Sequence, residues 1–366
     1  MNLIRVFHPV GQGAFYSERY SFNNKEFTVV YDCGSTTLRW RKLENKIKSA
    51  FPEGHTIDIL FISHFHADHI NGIETLKKHC NIKRVVLPLL DSEAKTLVKV
   101  ANMIDCNYSD TELIDNPNYF FGGNTQVIAI NPTKINQDEH GISLEETIDI
   151  SKTTASRFAS GTAFVPFART NWLFIPFNYK HGGRKTQFVH ALRRYGLTLV
   201  DIDTTDKIQT HKSSVAKAYN DVDGDLNENS MALFSGPKTS KKVYHFQQPH
   251  RSRWHHNHFR LTLESGCLYM GDIDLTEPKI VTDLKSKLKN VISFIGTLQV
   301  PHHGSIKNFD NFILDENIQC AVFSYGTTNS YGHPSDRVIS DVIANEIYPL
   351  FVTEEQSSMV TQWIAT

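Results

Sequence analysis

A turn rich in histidine carries the strongest chemical signal in the sequence. The stretch SHFHADHING places His64, His66, Asp68 and His69 within six positions. One tight turn can then offer two neutral imidazoles to one metal ion and a carboxylate with an imidazole to a second. Imidazole and carboxylate ligands suit zinc, manganese or iron. The turn therefore predicts a metal site, in preference to a polar surface turn that happens to contain histidines.

Three further segments hold side chains that could join such a site. YMGDIDL puts Asp272 directly after a glycine, where a carboxylate can bridge two ions. VPHHGS places His302 and His303 after an apolar run, and YGHPS places His333 before a candidate helix start. Each segment alone also fits an ordinary turn, or a helix cap in the case of His333. Together they predict ligands that converge from several strand ends onto one edge of a sheet.

Apolar runs with strand character lead into these turns. NLIRVFHPV, EFTVVYDCG and IDILFISH are rich in β-branched and aromatic residues, and the last delivers the histidine turn. After that turn, GIETLKKHC has helical spacing and IKRVVLPLL returns to strand character. The order strand, metal-type turn, helix, strand predicts a layered α/β architecture with the chemistry at strand ends.

The C-terminal part is similarly regular. MALFSG, KVYHFQ, HFRLTLE and CLYMGD predict successive strands of a meander, and TEPKIVTDLKSKL predicts a helix with proline in its first turn. VISFIGTLQV and CAVFSYG predict buried strands, and PSDRVISDVIAN predicts a helix. YPLFVT and MVTQWIAT predict a terminal strand pair. The less regular segment of about residues 131–225, with the strand NWLFIPFNY and the basic helix KTQFVHALRRYG, is expected to be an insertion within a single domain spanning residues 1–366.

Composition and targeting signals narrow the class of protein. Lysine and arginine number 38 against 39 acidic residues, so net charge neither favours nor excludes a polyanionic partner. The five cysteines are scattered without a CxxC pair, which argues against a cysteine zinc knuckle and fits a reducing compartment. The N-terminus lacks signal-peptide character, and no run of about 18 apolar residues occurs. We therefore expect a cytoplasmic protein with no membrane segment.

The motifs, taken in order, resemble the metallo-β-lactamase superfamily: HxHxDH, then GD, then HHGS. The forms VGQG, YDCG, VPHHGS and YGHPS are similar to those of the hydrolase domain of ComEC-type competence proteins, and also to those of phosphorylcholine esterases. The resemblance covers roughly residues 2–130 and 227–345. It implies an α/β fold, a four-layer αββα sandwich in which two mixed sheets pack face to face, with the metal site at one edge and an inserted segment of about residues 131–225.

The same resemblance implies a particular set of metal ligands and supporting residues. Two divalent ions, zinc or manganese, would be held by histidines and aspartates: the first by His64 and His66, the second by Asp68, His69 and His303, with Asp272 bridging. His302 would lie beside the metals as a substrate contact or alternative ligand. Asp32 of YDCG would support the metal turn through hydrogen bonds. Gly11 and Gly13 of VGQG would form a tight turn over the site.

One position departs from the superfamily pattern. Many members have a further histidine shortly before the strand that leads to the bridging aspartate, and it completes the first metal site. This chain reads NENSMALF there, so Asn227 or Asn229 stands in its place. The first metal site is therefore expected to lack its usual third histidine.

The function implied is that of a metal-dependent hydrolase, most directly a two-metal phosphodiesterase or nuclease that uses a metal-bound hydroxide. Asp68 or Asp272 would orient the nucleophile, while His333 or His302 would protonate or hydrogen-bond the departing oxygen. The candidate catalytic residues are thus Asp68, His302 and His333. Two alternatives stay open: a small-molecule esterase or lactonase, and a metal-binding recognition or effector module within a larger complex.

The implied partner is a nucleic acid or another phosphodiester substrate, and a protein partner is left open. QQPHRSRWHHNHFR, residues 247–260, combines arginines with aromatic residues that could contact phosphates and bases. The same stretch could equally be a solvated hairpin tip between two strands.

Overall fold

The computed structural model describes residues 2–365 except 23–24, 134–141, 168–169, 181–182, 223–228, 241, 244, 248–257 and 260–262. The strands, in chain order, are β1 (Asn2–Phe7), β2 (Phe15–Phe22), β3 (Lys25–Cys33), β4 (Thr56–Ile57), β5 (Ile59–Phe61), β6 (Asn81–Ile82), β7 (Arg84–Pro88), β8 (Gln126–Ile130), β9 (Thr147–Asp149), β10 (Arg157–Phe158), β11 (Ala163–Val165), β12 (Trp172–Lys180), β13 (Asn229–Pro237), β14 (Lys242–Val243), β15 (His245–Gln247), β16 (His258–Phe259), β17 (Leu263–Glu264), β18 (Gly266–Tyr269), β19 (Ile295–Gln299), β20 (Cys320–Ser324), β21 (Tyr348–Val352) and β22 (Val360–Ala365). The α-helices are α1 (Trp40–Ala50), α2 (Ala67–Ile70), α3 (Ile73–His79), α4 (Ser92–Asp105), α5 (Glu112–Asp115), α6 (Pro117–Phe121), α7 (Gly183–Arg194), α8 (Thr205–Thr210), α9 (Lys212–Asn220), α10 (Pro278–Leu288) and α11 (Asp336–Ala344).

Most of the strands form two large sheets. The ten-stranded sheet has the order β10-β8-β7-β5-β3-β2-β1-β22-β15-β16, and the eight-stranded sheet has the order β21-β20-β19-β18-β13-β12-β11-β9. The run β3, β5, β7, β8 in the first sheet is parallel, as is the run β18 to β21 in the second. The carboxyl ends of neighbouring parallel strands meet at one edge, which is where the predicted metal-binding turns begin.

The two sheets pack face to face, and the pattern of β12 shows why. Trp172 and Phe174 lie in the core between the sheets, together with buried residues of β1, β2 and β3. Leu173 and Ile175, which point to the other face, pack in a second core with α10 and α11. Because side chains alternate across a strand, a strand that is apolar throughout is covered on both faces.

Helices cover the outer face of each sheet. Buried residues of α1, α3 and α4 pack against the ten-stranded sheet, while those of α10 and α11 cover the eight-stranded sheet. The predicted α/β class and the four-layer αββα arrangement are therefore confirmed. No helix in the described ranges is long and apolar enough to cross a membrane.

Local sequence accounts for several helix starts. The Asp91 carboxylate accepts a hydrogen bond from the Ala94 amide at 2.8 Å and caps α4. The Ser335 hydroxyl accepts from the Arg337 amide and caps α11, while Pro278 occupies the first turn of α10. These helices begin where the capping and proline signals predict.

The segment of about residues 131–225 contributes strands to the sheets and helices to the layer outside them. Its strands β9, β11 and β12 belong to the eight-stranded sheet, so this part is continuous with the core. Its helices α7, α8 and α9 bury apolar side chains against α4, in a cluster that includes Phe188, Leu192 and Val215 together with Leu97 and Ala101 of α4. The segment therefore packs against α4, whose C-terminal end borders the site described below.

Two pairing predictions are wrong. The four segments predicted as one meander separate: β13 and β18 join the eight-stranded sheet, β15 and β16 extend the ten-stranded sheet, and β14 pairs with β17. The two C-terminal strands do not pair with each other, because β21 lies beside β20 and β22 lies between β1 and β15. Strand character is readable from a local pattern, whereas the choice of partner depends on the packing of distant segments.

Candidate metal centre

The histidine turn follows β5 and is held by a buried aspartate. Asp32, in the left-handed region at φ 56°, accepts hydrogen bonds from the Ser63 amide at 2.7 Å and the Ser63 hydroxyl at 2.6 Å. Its Oδ2 also lies 2.8 Å from Nδ1 of His69. The contacts agree with the expected supporting role of Asp32, since they orient the imidazole of a potential ligand.

A second clamp on the same turn comes from α4. The buried side chain of Asn102 accepts a hydrogen bond from the Ala67 amide and donates one to the Phe65 carbonyl, both at 2.8 Å. Both bonds are made to the backbone on either side of His66. Sequence reasoning missed Asn102, because nothing in the helical pattern of α4 distinguishes an asparagine that bonds to a turn 35 positions earlier.

Close backbone approach explains the glycine of the VGQG turn. Gly13 has φ 144°, and a Cβ there would lie 2.4 Å from the Gly34 carbonyl oxygen and 2.6 Å from that of Asp68. The neighbouring Ala14 amide donates to the same Asp68 carbonyl at 3.2 Å. The turn therefore packs directly on the metal-type turn, as predicted, and a larger residue at Gly13 would push the two apart.

The turn after β18 carries Asp272. The Gln299 side chain accepts from the amides of Met270 and Gly271, at 2.7 and 2.9 Å, and the Asp272 amide donates to the Ser230 hydroxyl at 3.1 Å. Gly271 has φ 54°, and a Cβ there would lie 2.7 Å from the side chain of Ser63. The glycine of the GD motif thus lets the aspartate turn sit against the histidine turn.

The HHG turn after β19 holds its two histidines in an unusual backbone conformation. His302 and His303 have φ values of 47° and 56°, in the left-handed region that residues with a Cβ seldom adopt. The His302 amide donates to the Gly271 carbonyl at 3.0 Å, which ties this turn to the aspartate turn. The strained conformation directs His303 into the cluster and His302 toward its open side.

Three imidazoles share one arrangement, with one ring nitrogen anchored and the other facing a carboxylate. Nδ1 of His303 donates to the Ser324 carbonyl at 2.8 Å, Nδ1 of His69 contacts Asp32, and Nδ1 of His64 lies 2.9 Å from the Ser63 hydroxyl. Metal-binding histidines are commonly anchored in this way through the nitrogen that does not bind the metal. Nε2 is therefore the nitrogen that each ring presents to the cluster.

Donor atoms from the three turns converge on three overlapping sets: His64, His66 and Asp272; His69, Asp272 and His303; and His64, Asp68 and His69. The donor atoms of each set lie within 4.8 Å of one another. Asp272 belongs to the first two sets. Its Oδ2 lies 3.5 Å from Nε2 of His64 and its Oδ1 lies 3.2 Å from Nε2 of His69. Asp68 joins the second set through Oδ2, which is 3.0 Å from Nε2 of His303.

The donors in this cluster fit divalent metal ions. Among the described residues, five buried polar atoms in it have no hydrogen-bond partner: Nε2 of His64, Oδ1 of Asp68, Nε2 of His69, and both carboxylate oxygens of Asp272. Buried polar atoms normally have partners, and a group of them without partners is typical of a site that binds an ion. Because these atoms face one another across two turns, imidazole nitrogens and carboxylate oxygens are available at one place for two ions.

The pKa shifts within the cluster also favour a metal site. Burial opposes ionisation of Asp68, but His69 and the hydrogen bond from His303 hold the pKa of this carboxyl well below its ordinary value. Burial also opposes charge on His69, yet Asp272 and Asp68 raise the pKa of this imidazole well above its ordinary value. Burial, with His69 next to it, lowers the pKa of His64 well below its ordinary value. Ionised carboxylates therefore face protonated imidazole, and a metal ion would replace those protons.

His302 and His333 lie on the open side of the cluster. Their ring centroids are 5.6 Å apart, and the ring of His333 is 6.3 Å from that of His303. Burial, with His302 and His303 nearby, lowers the pKa of His333 to about 4. His333 is thus neutral at pH 7, where a neutral imidazole can donate a hydrogen bond but carries no charge.

The first metal set has neighbours that sequence reasoning did not single out. Asn227 lies outside the described residues, and only the backbone of Asn229, at the start of β13, is described. On the other side of the set, Nε2 of His66 lies 3.9 Å from Sγ of Cys106 and 4.0 Å from Oδ2 of Asp105. These two residues end α4, so the helix that clamps the turn also borders the side where a third ligand would sit.

A pocket opens over the cluster and includes cationic side chains. It is lined by Asp68, Asp272, His302, His303 and His333, and also by Arg184 and Lys307. Arg184 comes from α7 and is held by Asp274, whose Oδ2 lies 3.2 Å from Nη2 of the guanidinium. The stretch of residues 247–260, which the sequence left open as a nucleic-acid contact or a solvated hairpin tip, falls almost entirely outside the described residues.

The four-layer fold and the histidine–aspartate cluster define the class: a protein with a candidate two-metal centre at the edge of an αββα sandwich. A model of the metallo-beta-lactamase superfamily matches residues 20–101, which include the HxHxDH turn, and supports that superfamily for this chain. Among curated proteins, no sequence matches the chain.

Several solved structures align with this chain at TM-scores below 0.5. The metallo-beta-lactamase fold protein YhfI from Bacillus subtilis aligns at 8% identity and a TM-score of 0.39 over 98% of each chain. Zn²⁺-bound PqqB from Methylobacterium extorquens aligns at 9% identity and a TM-score of 0.38, over 96% of this chain and 98% of that one. MEM-A1, a subclass B3 metallo-beta-lactamase from a soil metagenome library, aligns at 11% identity and a TM-score of 0.31, over 82% and 80%.

Proposed function

We propose that the protein is a metal-dependent hydrolase, and specifically a two-metal phosphodiesterase with nuclease activity. The observation that carries this proposal is the convergence of buried donor atoms without hydrogen-bond partners around the shared carboxylate of Asp272. A carboxylate between two sets of imidazoles suits a pair of metal ions better than it suits a structural ion pair. All six ligand positions expected from the sequence contribute to the cluster.

The side chains divide into holding and reacting roles. His64, His66 and Asp272 would hold one ion, and Asp68, His69 and His303 would hold a second that Asp272 shares. When bound, two divalent ions supply a water of lowered pKa and stabilise negative charge on a phosphoryl centre. Zinc and manganese both accept this mixture of imidazole and carboxylate.

The protein's own residues would then bind and orient the substrate. Asp68, kept ionised by its neighbours, can accept a hydrogen bond from the attacking water and orient it. His302 and His333 lie on the open side, where the departing oxygen of a substrate would emerge. Because the pKa of His333 is lowered to about 4, its contribution at neutral pH is a hydrogen bond from a neutral imidazole to a phosphoryl or leaving-group oxygen.

The charge of the pocket favours a phosphodiester over a neutral ester or lactone. Two divalent ions would offset the carboxylates that bind them, and Arg184 and Lys307 add positive charge to the same pocket. A guanidinium has five N–H donors and matches the geometry of phosphate oxygens, so Arg184 can hold Asp274 and a phosphate together. A neutral carboxylic ester carries no negative charge with which these cations could pair.

Purified protein loaded with zinc or manganese tests the proposal. We expect hydrolysis of bis-(p-nitrophenyl) phosphate and of single-stranded DNA, and loss of both activities with D272N, accompanied by loss of bound metal. Hydrolysis of carboxylic esters or lactones with no activity on either phosphodiester would favour the esterase alternative. Metal binding without hydrolysis of any of these substrates would favour a recognition module.

A pair of neighbouring substitutions tests the charge argument. R184Q should raise KM for the aryl phosphodiester about tenfold or more, the order expected for loss of a hydrogen bond to a charged group. K185Q is the matched control, since Lys185 is the next residue of α7 and pairs with Glu93 on the surface. Equal KM values for R184Q and the wild type would remove the argument for phosphodiester preference.

A further inference from the structure

A second cavity adjoins the metal pocket. Its volume is about 530 Å³, compared with about 280 Å³ for the metal pocket. Gln12, Thr36, Asp105, Cys106 and Tyr331 line both cavities, so the two lie side by side along these residues. A substrate that reaches the metal centre therefore lies next to the second cavity.

The chemistry of the second cavity differs from that of the metal pocket. Its walls carry amide and hydroxyl groups, among them Asn71, Asn107, Thr37 and Thr328. Asp105, at the boundary, is the one charged side chain among the described residues that line it. A wall of neutral donors and acceptors suits a polar uncharged group such as a nucleobase or a sugar, and gives no cation to a second phosphate.

Tyr331 stands at the boundary of the two cavities. Its ring stacks on His333 with a centroid distance of 5.7 Å and an interplanar angle of 28°, yet 63% of the residue is exposed to solvent. One face of the ring is thus supported while much of the side chain is open. An exposed aromatic ring on a rigid support is the usual platform on which proteins stack a base.

The loop that presents Tyr331 is held in place by one side chain. Oδ1 of Asn329 accepts from the amides of Tyr331 and His333 at 3.1 and 3.0 Å. Nδ2 of Asn329 donates to the carbonyls of Gly326 and His333, both at 2.7 Å. With all four bonds made within the loop, little ordering of the loop is needed when a ligand binds, and this lowers the entropic cost of binding.

We propose that the second cavity is a nucleoside subsite, in which a base stacks on Tyr331 while the adjoining phosphodiester lies at the metal centre. This inference rests on the proposed function and narrows its substrate to nucleic acid with an unpaired base beside the scissile bond. A base within a duplex is covered by its neighbours and cannot stack on a protein side chain unless it is extruded. Single strands and unpaired ends are therefore the expected substrates.

Kinetics with two oligomers test the subsite. Metal-loaded full-length enzyme is assayed on oligothymidylate and on an oligomer of the same length in which every sugar is abasic. Y331A should raise the ratio of KM for oligothymidylate to KM for the abasic oligomer about tenfold, the order expected for one lost base–aromatic stack. Y331F should behave as wild type. Y119A is the matched control, because Tyr119 is 72% exposed and lines neither cavity.

A binding measurement tests the same contact without turnover. A phosphorothioate oligonucleotide that carries 2-aminopurine resists hydrolysis, and its fluorescence is quenched when the base stacks. The metal-loaded wild type and Y119A should quench this fluorescence, whereas Y331A should not. Absence of quenching by the wild type, or equal quenching by Y331A, would overturn the subsite.

The outcomes also separate this inference from the function on which it rests. Failure to hydrolyse any phosphodiester, together with quenching that depends on Tyr331, would leave the nucleoside subsite standing and reject the phosphodiesterase. Hydrolysis of oligothymidylate with a KM that Y331A does not change, or changes equally for the abasic oligomer, would reject the subsite and leave the phosphodiesterase standing.

Discussion

Replacement of Asn102 by alanine should weaken both the fold and the metal centre. The side chain makes two buried hydrogen bonds of 2.8 Å to the backbone around His66. N102A leaves the Ala67 amide and the Phe65 carbonyl buried without these partners. Each such group costs about 1–3 kcal/mol, so the free energy of unfolding should fall by about 2–6 kcal/mol. Because the released turn carries His66, metal affinity should also fall about 10- to 100-fold.

Two assays and one control separate these effects. Urea unfolding followed by circular dichroism, with metal removed, gives the stability change, and competition with a chromophoric chelator gives the zinc affinity. N178A is the control, since the buried Asn178 side chain bonds to the Ile130 carbonyl at 2.8 Å and has no contact with the cluster donors. N178A should lose stability and keep its metal affinity. The reasoning is refuted if N102A binds zinc as tightly as N178A does.

Three other perturbations have expected outcomes. D32N should lower zinc affinity about 10- to 100-fold in the chelator assay, because a neutral amide cannot hold Ser63 and the His69 imidazole as the carboxylate does. R5M should lower the free energy of unfolding by about 3–5 kcal/mol in urea, because it leaves the buried Glu18 carboxylate without the guanidinium that lies 2.6 Å away. Burial, aided by nearby cations, lowers the pKa of His8 to about 3. Below about pH 6.5 the imidazole of His8 is therefore protonated in the unfolded chain but not in the folded chain. The free energy of unfolding consequently falls as the pH falls.

Each of these three has a distinguishing measurement. For D32N, unchanged affinity would mean that the turn holds His69 without Asp32. For R5M, adding E18Q should recover part of the lost stability because no buried charge then remains; further loss would contradict the charge argument. For His8, wild type should lose about 2 kcal/mol more than H8Q between pH 7 and pH 5. Parallel pH profiles for the two proteins would exclude His8 as the titrating group.

The positions of many strands and helices were predictable from the sequence, whereas the pairing between strands was not. The apolar runs at β5, β12 and β19 and the helices α10 and α11 lie where local patterns indicate. The meander and the terminal strand pair failed because these short strands have little local signal for a partner. In the structure β22 pairs with β1, more than 350 positions away, because its residues Val360 and Ile364 complete the core between the sheets.

The candidate ligands were predictable for a physical reason. Each lies in a tight turn at a strand end, so a short motif contains both the donor and the glycine that lets the turn approach its neighbour, as Gly271 does for Asp272. The sequence by itself therefore determined which donor types are present, in what order, and that they suit divalent metal ions.

Only the tertiary structure decided what surrounds those donors. Asn102 and Cys106 come from α4, Arg184 comes from α7, and Tyr331 comes from the loop after β20. No local pattern marks Asn102, Cys106 or Arg184, and the YGHPS motif does not show what Tyr331 contacts. These contacts arise when segments separated by tens or hundreds of positions pack against the same turn. The ligands are local features of strand ends, whereas the walls of the pocket, and with them the choice of substrate, are a product of long-range packing.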